Sequence, residues 1–294
     1  MIPSMLLGVT MFLLTASPVF AQTIYGLSGD ALVRFDARTP GVVTTIGTPN
    51  AFLSTLSFRP SDGLLYGYET RFGDGPDVIY TIDTSTAAVT PVASSEPGTG
   101  TAHVGMDFEP DSDRLRVTSD IGENRTVSVE NNLTVVEADL RYAAGDRFGG
   151  QFPLLIDIAF APATTTLFGI DYLRNTLVRI ESASSGALTT VGALGVNTDF
   201  LTGFAITSGS DGTSTAYAAL NPSFDPRTPS RLFTIDLVTG AATAIGAIGG
   251  ESVYSIAVAL PPASVAAPEP STAALLFFGV GIGMTGLTRR RRSH

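Results

Sequence analysis

The sequence predicts an all-β fold, a five-bladed β-propeller whose ring is closed by a C-terminal strand pairing in the N-terminal blade. No segment of the folded part keeps an apolar repeat of about 3.6 residues, which argues against helices. Short alternating strands instead recur at a spacing of roughly 40–50 residues, a period typical of propellers and solenoids. The unit is clearest at residues 156–194, where four short runs are separated by three turns.

Each repeat unit contains the same four strands in the same order. Second strands are predicted at residues 24–27, 65–68, 115–118, 167–170 and 216–219. Third strands each end in an acid, namely Asp36, Asp83, Glu130, Glu181 and Asp236. Fourth strands, rich in Thr, Val and Ala, are predicted at residues 42–46, 88–92, 133–136, 188–191 and 241–245. First strands precede units two to five, at residues 56–60, 106–110, 158–162 and 203–207.

The N-terminal unit has no first strand of its own, and a spare strand follows the last unit. That strand, residues 255–260, would complete the N-terminal blade beside residues 24–27. Closing the ring in this way removes exposed sheet edges at the seam. We interpret the acid after each third strand as a turn residue, because an Asp there accepts backbone N–H groups across a turn.

Composition excludes several classes of function. The chain has no cysteine, so disulfides, thiol catalysis and cysteine metal sites are excluded. Between residues 22 and 266 there are 13 arginines against 26 acidic side chains, a formal net charge of −13. Such a surface repels phosphate backbones, which argues against nucleic-acid partners. The folded part has one histidine, His103, so a Ser-His-Asp triad would have to use it.

Both ends of the chain carry the features of targeting segments. Residues 1–21 are predicted to be a signal peptide cleaved after Ala21, although no basic residue precedes the apolar core; the alternative is a retained N-terminal anchor. The propeller is assigned to residues 22–261 and a linker to residues 262–267. Residues 268–294 are predicted to form a C-terminal signal with a transmembrane helix at 272–288, long enough to span a thin bilayer.

The C-terminal segment resembles the PEP-CTERM sorting signal of Gram-negative bacteria that make exopolysaccharide. It has a Pro-Glu-Pro motif, an uncharged stretch and a terminal arginine cluster, in that order; the alternative is a plain membrane anchor. The resemblance implies export across the inner membrane, transient anchoring there, processing by an exosortase and a final place at the cell surface or in the extracellular matrix. It assigns recognition and retention to these residues: Pro268, Glu269, Pro270, Arg289, Arg290, Arg291 and Arg292.

Several segments resemble the bacterial domain-of-unknown-function 4394 family. They lie at residues 32–41, 106–117, 164–171 and 235–243, and the likeness spans roughly residues 25–249. The family implies a secreted or surface propeller-like domain. It carries no known activity, so it assigns no catalytic residue.

Unit three differs from the others by a charged pair. If its first hairpin turns at Asp111-Ser112, Asp107 lies opposite Arg116, and we expect these two to form a partly buried structural ion pair. We predict no cofactor. Candidate oxygen ligands for calcium occur in the runs Asp111-Ser112-Asp113 and Asp74-Gly75-Pro76-Asp77, but neither has the spacing of a known calcium loop.

The long connections of the predicted propeller all fall on one face. They occupy residues 69–77, 94–103, 137–155, 195–199 and 221–230, whereas the turns on the other face are short. Binding residues concentrate on such loops when a rigid scaffold holds them. The predicted ligand-binding rim consists of Arg71, Asp74, His103, Arg147, Tyr172, Arg174, Asp225 and Arg227, with Tyr142, Asp146 and Phe224 nearby. The alternative is that these loops are solvated spacers.

The sequence therefore favours an exported, non-enzymatic propeller that binds a partner, such as matrix polysaccharide or a surface protein. The alternative is an extracellular enzyme of the glycan or lactone hydrolase type, with its site at the mouth of the propeller channel. A third hypothesis is a purely structural component of the matrix.

Overall fold

The computed structural model describes residues 22–71, 75–181, 184–209, 212–223 and 225–260, which form five β-sheets. We number the strands in chain order. The innermost strands are β4 (Thr55–Phe58), β8 (Val104–Phe108), β13 (Leu155–Ala161), β17 (Gly203–Ser208) and β21 (Val253–Val258). The second strands are β1 (Thr23–Ser28), β5 (Leu65–Glu69), β9 (Leu115–Ser119), β14 (Thr166–Asp171) and β18 (Ser214–Leu220). The third strands are β2 (Ala31–Asp36), β6 (Asp77–Ile82), β10 (Asn124–Val127), β15 (Thr176–Ile180) and β19 (Arg231–Ile235). The outermost strands are β3 (Thr44–Gly47), β7 (Val89–Ser95), β11 (Thr134–Val136), β16 (Ala187–Ala193) and β20 (Ala242–Ala247).

The five-bladed propeller and its closure are confirmed. The N-terminal sheet has the order β21-β1-β2-β3, so the last described strand is the innermost strand of blade 1. Ile24 pairs with Val258 and Gly26 with Ile256 in that closure. The innermost strands also contact one another in the cycle β4, β8, β13, β17, β21 and back to β4. They therefore surround a central channel.

The apolar core is divided into layers between neighbouring blades. Phe168 and Leu177 of blade 4 belong to one buried cluster with Phe204 and Phe233 of blade 5. Similar clusters join blades 5 and 1, blades 1 and 2, and blades 2 and 3. A further cluster packs the insertion at residues 137–155 against blade 4. Because a blade is a sheet with two faces, strands between two layers are apolar on both sides. Strand β13, for example, is buried throughout its length.

Two glycines allow the innermost strands to approach closely. A Cβ on Gly105 would lie 2.6 Å from the Cα of Asp157, and one on Gly203 would lie 2.6 Å from the amide nitrogen of Ile256. Real Cβ atoms do not tolerate such distances to backbone atoms. The packing of β8 on β13 and of β17 on β21 therefore requires glycine at these two positions.

The aspartates that follow third strands serve the turns, as predicted, and Asp36 accepts the Arg38 N–H at 2.8 Å. The two glutamates at the equivalent positions bond to arginines, Glu130 to Arg59 and Glu181 to Arg179. Asp83 Oδ1 accepts the N–H groups of Ser85 and Thr86 at 2.7 and 3.1 Å. Asp236 Oδ1 accepts those of Val238 and Thr239 at 2.8 and 3.0 Å. These turns lie on the face that carries the first-to-second and third-to-fourth connections, which we call the turn face.

The insertion at residues 137–155 differs from the prediction, because part of it covers the outer edge of blade 4. A short strand, β12 (Arg141–Tyr142), pairs in parallel with Ala187 and Leu188 of β16. Asp146 then accepts the Thr190 N–H at 2.7 Å. Tyr142 and Asp146 are thus held against the blade edge, and the added strand pairs edge groups that would otherwise be open.

The register predicted for unit three is confirmed, but the predicted ion pair is replaced by other contacts. Asp107 does pair across the ladder with Arg116. The Arg116 guanidinium instead meets Glu109 at 2.5 Å and Glu137 at 3.1 Å. The Asp107 carboxylate turns toward the channel, where neighbouring strands offer N–H and O–H donors that satisfy it without a cation.

The predicted signal peptide, linker, sorting motif and C-terminal helix lie outside the described residues. Within the described ranges, no helix is long and apolar enough to cross a membrane. The described chain begins at Gln22 and ends at Leu260, and the Gln22 side chain donates to the Ala259 carbonyl at 2.5 Å. Both of these positions are at the turn face, because β1 starts there and β21 ends there.

Candidate functional site

The face opposite the turn face, which we call the loop face, carries a cavity over the mouth of the channel. The part that we call the inner lobe has a volume of about 370 Å³. Apart from Thr70, which follows β5, its walls come from the starts of all five innermost strands or the residues just before them. They consist of Phe52, Leu53, Ser54, Thr70, Ala102, His103, Val104, Ile156, Phe200, Leu201 and Tyr254. Most of these are apolar, and the volume lies in the range of small-molecule sites.

A second cavity of about 410 Å³, the outer lobe, adjoins the first between blades 1 and 2. The two lobes share Phe52, Leu53 and Tyr254. The outer lobe is the more polar, since its walls include Asp30, Thr48, Asn50 and Glu69.

The aromatic side chains shared by the lobes are held very differently. Phe52 is 83% exposed, although it lies beside two cavities. Tyr254 is fixed, because its hydroxyl donates to the carbonyl of Gly29 or Leu53, at 3.3 and 3.2 Å. Burial raises the pKa of Tyr254 to about 12, and the nearby negative charge of Asp30 acts in the same direction. An exposed ring beside a fixed ring is suited to contact with a partner, because covering an exposed apolar surface lowers the free energy of the complex.

Glu69 connects the outer lobe to one predicted rim residue. It accepts from the Tyr80 hydroxyl at 2.7 Å and from the Arg71 guanidinium at 3.0 Å. Burial opposes the charged form, but these donors and the Phe52 N–H outweigh it, so the pKa of Glu69 lies below its usual value. The carboxylate is therefore ionised at neutral pH.

The inner lobe contains a histidine–carboxylate contact. His103 Nδ1 lies 3.0 Å from Asp120 Oδ2, and the His103 ring centroid is 5.1 Å from that of Phe200. If Nδ1 carries the proton, Nε2 is left as an acceptor. The other Asp120 oxygen, Oδ1, is buried and has no hydrogen-bond partner among the described residues. The same holds for Oδ2 of Asp199, which precedes Phe200 in the chain and is 1% exposed.

Below the cavity, polar side chains of the innermost strands fasten the blades to one another. Asp107 accepts the Phe160 N–H at 2.7 Å and the Ser57 hydroxyl at 2.6 Å. Asp157 accepts the Phe204 N–H at 2.8 Å. Between blades 1 and 2, Ser255 Oγ accepts the Leu56 N–H at 3.0 Å.

The two channel carboxyls are more basic than usual. Burial raises the pKa of Asp107 to about 6, even though this residue is only partly buried. Burial, with the charge of Asp107 added, raises the pKa of Asp157 well above its usual value. Their carboxylate oxygens already accept hydrogen bonds from backbone N–H groups of the neighbouring blades. This arrangement indicates a structural role in closing the ring.

Of the eight predicted rim residues, the structure brings one into the cavity and one beside it. His103 lines the inner lobe, and Arg71 reaches the outer lobe through Glu69. Asp74 lies outside the described residues, as does Phe224. The remaining five, Arg147, Tyr172, Arg174, Asp225 and Arg227, do not line either lobe.

Those remaining residues have local partners. Arg174 bonds to Asp171 at 2.8 Å, and its guanidinium lies 4.8 Å from the centroid of Phe148. Arg147 stacks on the same ring at 4.7 Å. Tyr172 is half-buried, and burial together with the charges of three nearby carboxylates raises its pKa. Asp225 caps its own turn by accepting the Arg227 N–H at 2.9 Å.

One acid of each run considered for calcium is engaged by protein groups. Asp113 is held by the Arg59 guanidinium at 2.5 Å. Asp77 is fully buried and accepts from Tyr68, from the Arg71 N–H and from Thr99. Within the described part of the chain, no group of three or more His, Asp or Glu side chains is placed to hold a metal ion.

Sequence reasoning missed most of the cavity. The long connections were used to choose the rim. Phe52 lies in a connection outside that set and Tyr254 at a strand start, whereas Phe200 and Leu201 come just after the predicted long connection at residues 195–199. An apolar side chain in a loop-face connection, such as Phe52 after Pro49-Asn50-Ala51, was a signal that could have been used.

The fold and the cavity define a class of protein, the five-bladed propellers with a pocket at the loop-face mouth of the channel. The model of the family described as "Domain of unknown function (DUF4394)" matches residues 31–257, and the chain belongs to that family. No curated protein matches the sequence.

Solved structures resemble the chain at low sequence identity. A structural genomics protein of unknown function from Bacteroides thetaiotaomicron VPI-5482 is 13% identical with a TM-score of 0.51, over 83% of this chain and 68% of that one. TolB from Acinetobacter baumannii is 13% identical with a TM-score of 0.46, over 82% and 67%. A putative 6-phosphogluconolactonase from Bacteroides fragilis NCTC 9343 is 12% identical with a TM-score of 0.42, over 77% and 81%. The first of these indicates a shared fold and no more.

Proposed function

We propose that this protein is an exported, non-enzymatic binding propeller that holds a partner at the cell surface or in the extracellular matrix. The binding site is the double cavity of the loop face. One observation carries the proposal: an apolar cavity formed by all five blades opens beside Phe52, a ring that is 83% exposed. Exposed apolar surface next to a formed cavity is typical of interaction sites.

The position of the cavity supports this function. Gln22 and Leu260, the first and last residues that the structure describes, both lie at the turn face, whereas the cavity opens on the loop face. The sorting signal proposed for residues 268–294 would be read and processed by an exosortase. The partner is proposed to be matrix polysaccharide or a surface protein.

The binding function is tested by replacing Phe52, with a matched control on the other face. Val238 is 85% exposed and lies in a turn of blade 5 on the turn face. In glycan-array and surface-protein binding assays, Phe52→Ala should weaken binding by about tenfold or more, as loss of a buried aromatic contact does. Val238→Ala should bind like the unaltered protein. Equal binding by the two variants would show that the cavity is not the binding site.

A hydrolase is the second candidate, and the His103–Asp120 contact in the inner lobe favours it. A histidine oriented by a carboxylate is the arrangement of a general base, which could activate water against an ester or lactone. Ser54 and Thr70 hydroxyls line the same lobe and lie 3.3 Å apart. Turnover of a lactone or glycoside panel that is lost in His103→Asn would support this candidate over pure binding.

A further inference from the structure

The charged groups around the double cavity are predominantly acidic. Asp30 and Glu69 line the outer lobe. Glu251 is close as well, since its Oε2 lies 3.1 Å from the position of a Cβ on Gly29, another lining residue. Arg71, which reaches the outer lobe, is paired with Glu69. The lining residues of both lobes include no arginine, and the chain has no lysine.

The inner lobe adds aromatic faces, and two carboxylates lie beside its lining residues: Asp120 contacts His103, and Asp199 precedes Phe200. Phe52, Phe200 and Tyr254 contribute rings to its walls. Behind the wall, Asp120 Oδ1 and Asp199 Oδ2 are buried without a hydrogen-bond partner among the described residues. A positively charged group near aromatic faces and carboxylates is stabilised by both.

We infer that the double cavity binds an organic cation: an apolar body fills the inner lobe, and an ammonium or guanidinium group lies between the aromatic rings and the carboxylate of Asp30. This inference rests on the proposed function and names the chemistry of its ligand. The cation is either a small free amine or the basic side chain of a partner peptide, and these share the same recognition.

The other ligand charges fit the cavity less well. An anion would meet Asp30, Glu69 and Glu251. The one basic side chain among the lining residues, His103, lies beside the carboxylate of Asp120. A neutral ligand would fill the inner lobe but would leave the acidic outer lobe to water. Burial raises the pKa of Tyr254 and the charge of Asp30 adds to this effect, which indicates that the field of Asp30 reaches the ring shared by both lobes.

The test compares three probes of similar shape on the full-length chain by calorimetric titration. They are phenethylammonium, its neutral counterpart phenylethanol and the anion phenylpropionate. We expect phenethylammonium to bind about tenfold more tightly than phenylethanol, the size expected from one cation–ring contact together with a carboxylate. Phenylpropionate should bind most weakly. In a second arm, acetyl-phenylalanyl-lysine amide is compared with the same peptide in which norleucine replaces lysine. If the positive charge increases the affinity of the peptide but not that of the small amine, the partner is a peptide.

Two conservative variants separate this inference from the proposed function. Asp30→Asn should reduce the preference for phenethylammonium over phenylethanol severalfold, whereas Asp111→Asn, an exposed acid on the turn face, should leave it unchanged. Phe52→Ala should weaken both probes. Equal affinity for the charged and neutral probes, or equal behaviour of the two Asn variants, would overturn the inference. If Phe52→Ala still weakened phenylethanol, the cavity would remain the binding site while the cationic ligand would not.

Discussion

Asp107 shows how one residue can be placed correctly by sequence and still be given the wrong partner. Its position opposite Arg116 follows from the hairpin and is confirmed. Its hydrogen bonds run to Ser57 of blade 2 and Phe160 of blade 4, which no local spacing predicts. The carboxylate of Asp107 therefore links blade 3 to blades 2 and 4. It does not form the ion pair with Arg116 that was expected within blade 3.

Replacing Asp107 by Ala should destabilise the protein by about 1–3 kcal/mol. The change leaves the Phe160 and Phe108 N–H groups without their acceptor, and a buried unpaired donor costs about that much. Urea unfolding measures the difference. Asp111→Ala, an exposed acid on the turn face, is the control and should change stability by less than about 0.5 kcal/mol. An Asp107→Ala protein as stable as this control would show that the acceptor is dispensable.

At the scale of the element, the innermost strands require positions without a side chain as well as the polar side chains that bond between blades. Gly203 lies against the backbone of Ser255 and Ile256, the strand that closes the ring. The sequence contains this glycine at the start of a predicted strand, but glycine in a strand has several explanations. Only the packed ring identifies close backbone approach as the reason.

Gly203→Ala should therefore destabilise the protein by about 1–3 kcal/mol, as overpacking of a tight interior does. The matched control is Gly145→Ala, because Gly145 is exposed and a Cβ there would meet nothing within 4 Å. Thermal unfolding of the two variants gives the comparison. A Gly203→Ala melting temperature equal to that of the control would contradict the close approach of β17 and β21.

For the whole molecule, buried carboxyls make stability depend on pH. The pKa values of Asp107 and Asp199 are raised by burial to about 6, and that of Asp157 is also raised. A carboxyl with a folded pKa above its unfolded value of 3.8 binds protons more readily in the folded state. Its contribution is fully present below that unfolded value and is lost as the pH rises through about 6.

We therefore expect the free energy of unfolding to fall between about pH 4 and about pH 7, by on the order of 3 kcal/mol for Asp107 alone. Turn acids with lowered pKa values, such as Asp83 and Asp236, act in the opposite direction but only in more acidic solution. Urea titrations across this range measure the trend, and an Asp107→Asn, Asp157→Asn double variant should flatten it. Stability that rises toward alkaline pH would show that these carboxyls are not the dominant titrating groups.

By itself, the sequence determined the five repeats, the strand order within each blade, the closing strand and the turn acids. All of these follow from short-range patterns: alternation along a strand, turn residues, and a repeat that returns at nearly constant spacing. The tertiary structure alone decided the cavity and its chemistry. Phe52, His103, Phe200 and Tyr254 come from four separate connections and strand starts, and they meet because closure of the ring brings the starts of five innermost strands to one mouth. Such convergence depends on contacts across distant parts of the chain, and therefore no local pattern in the sequence carries it.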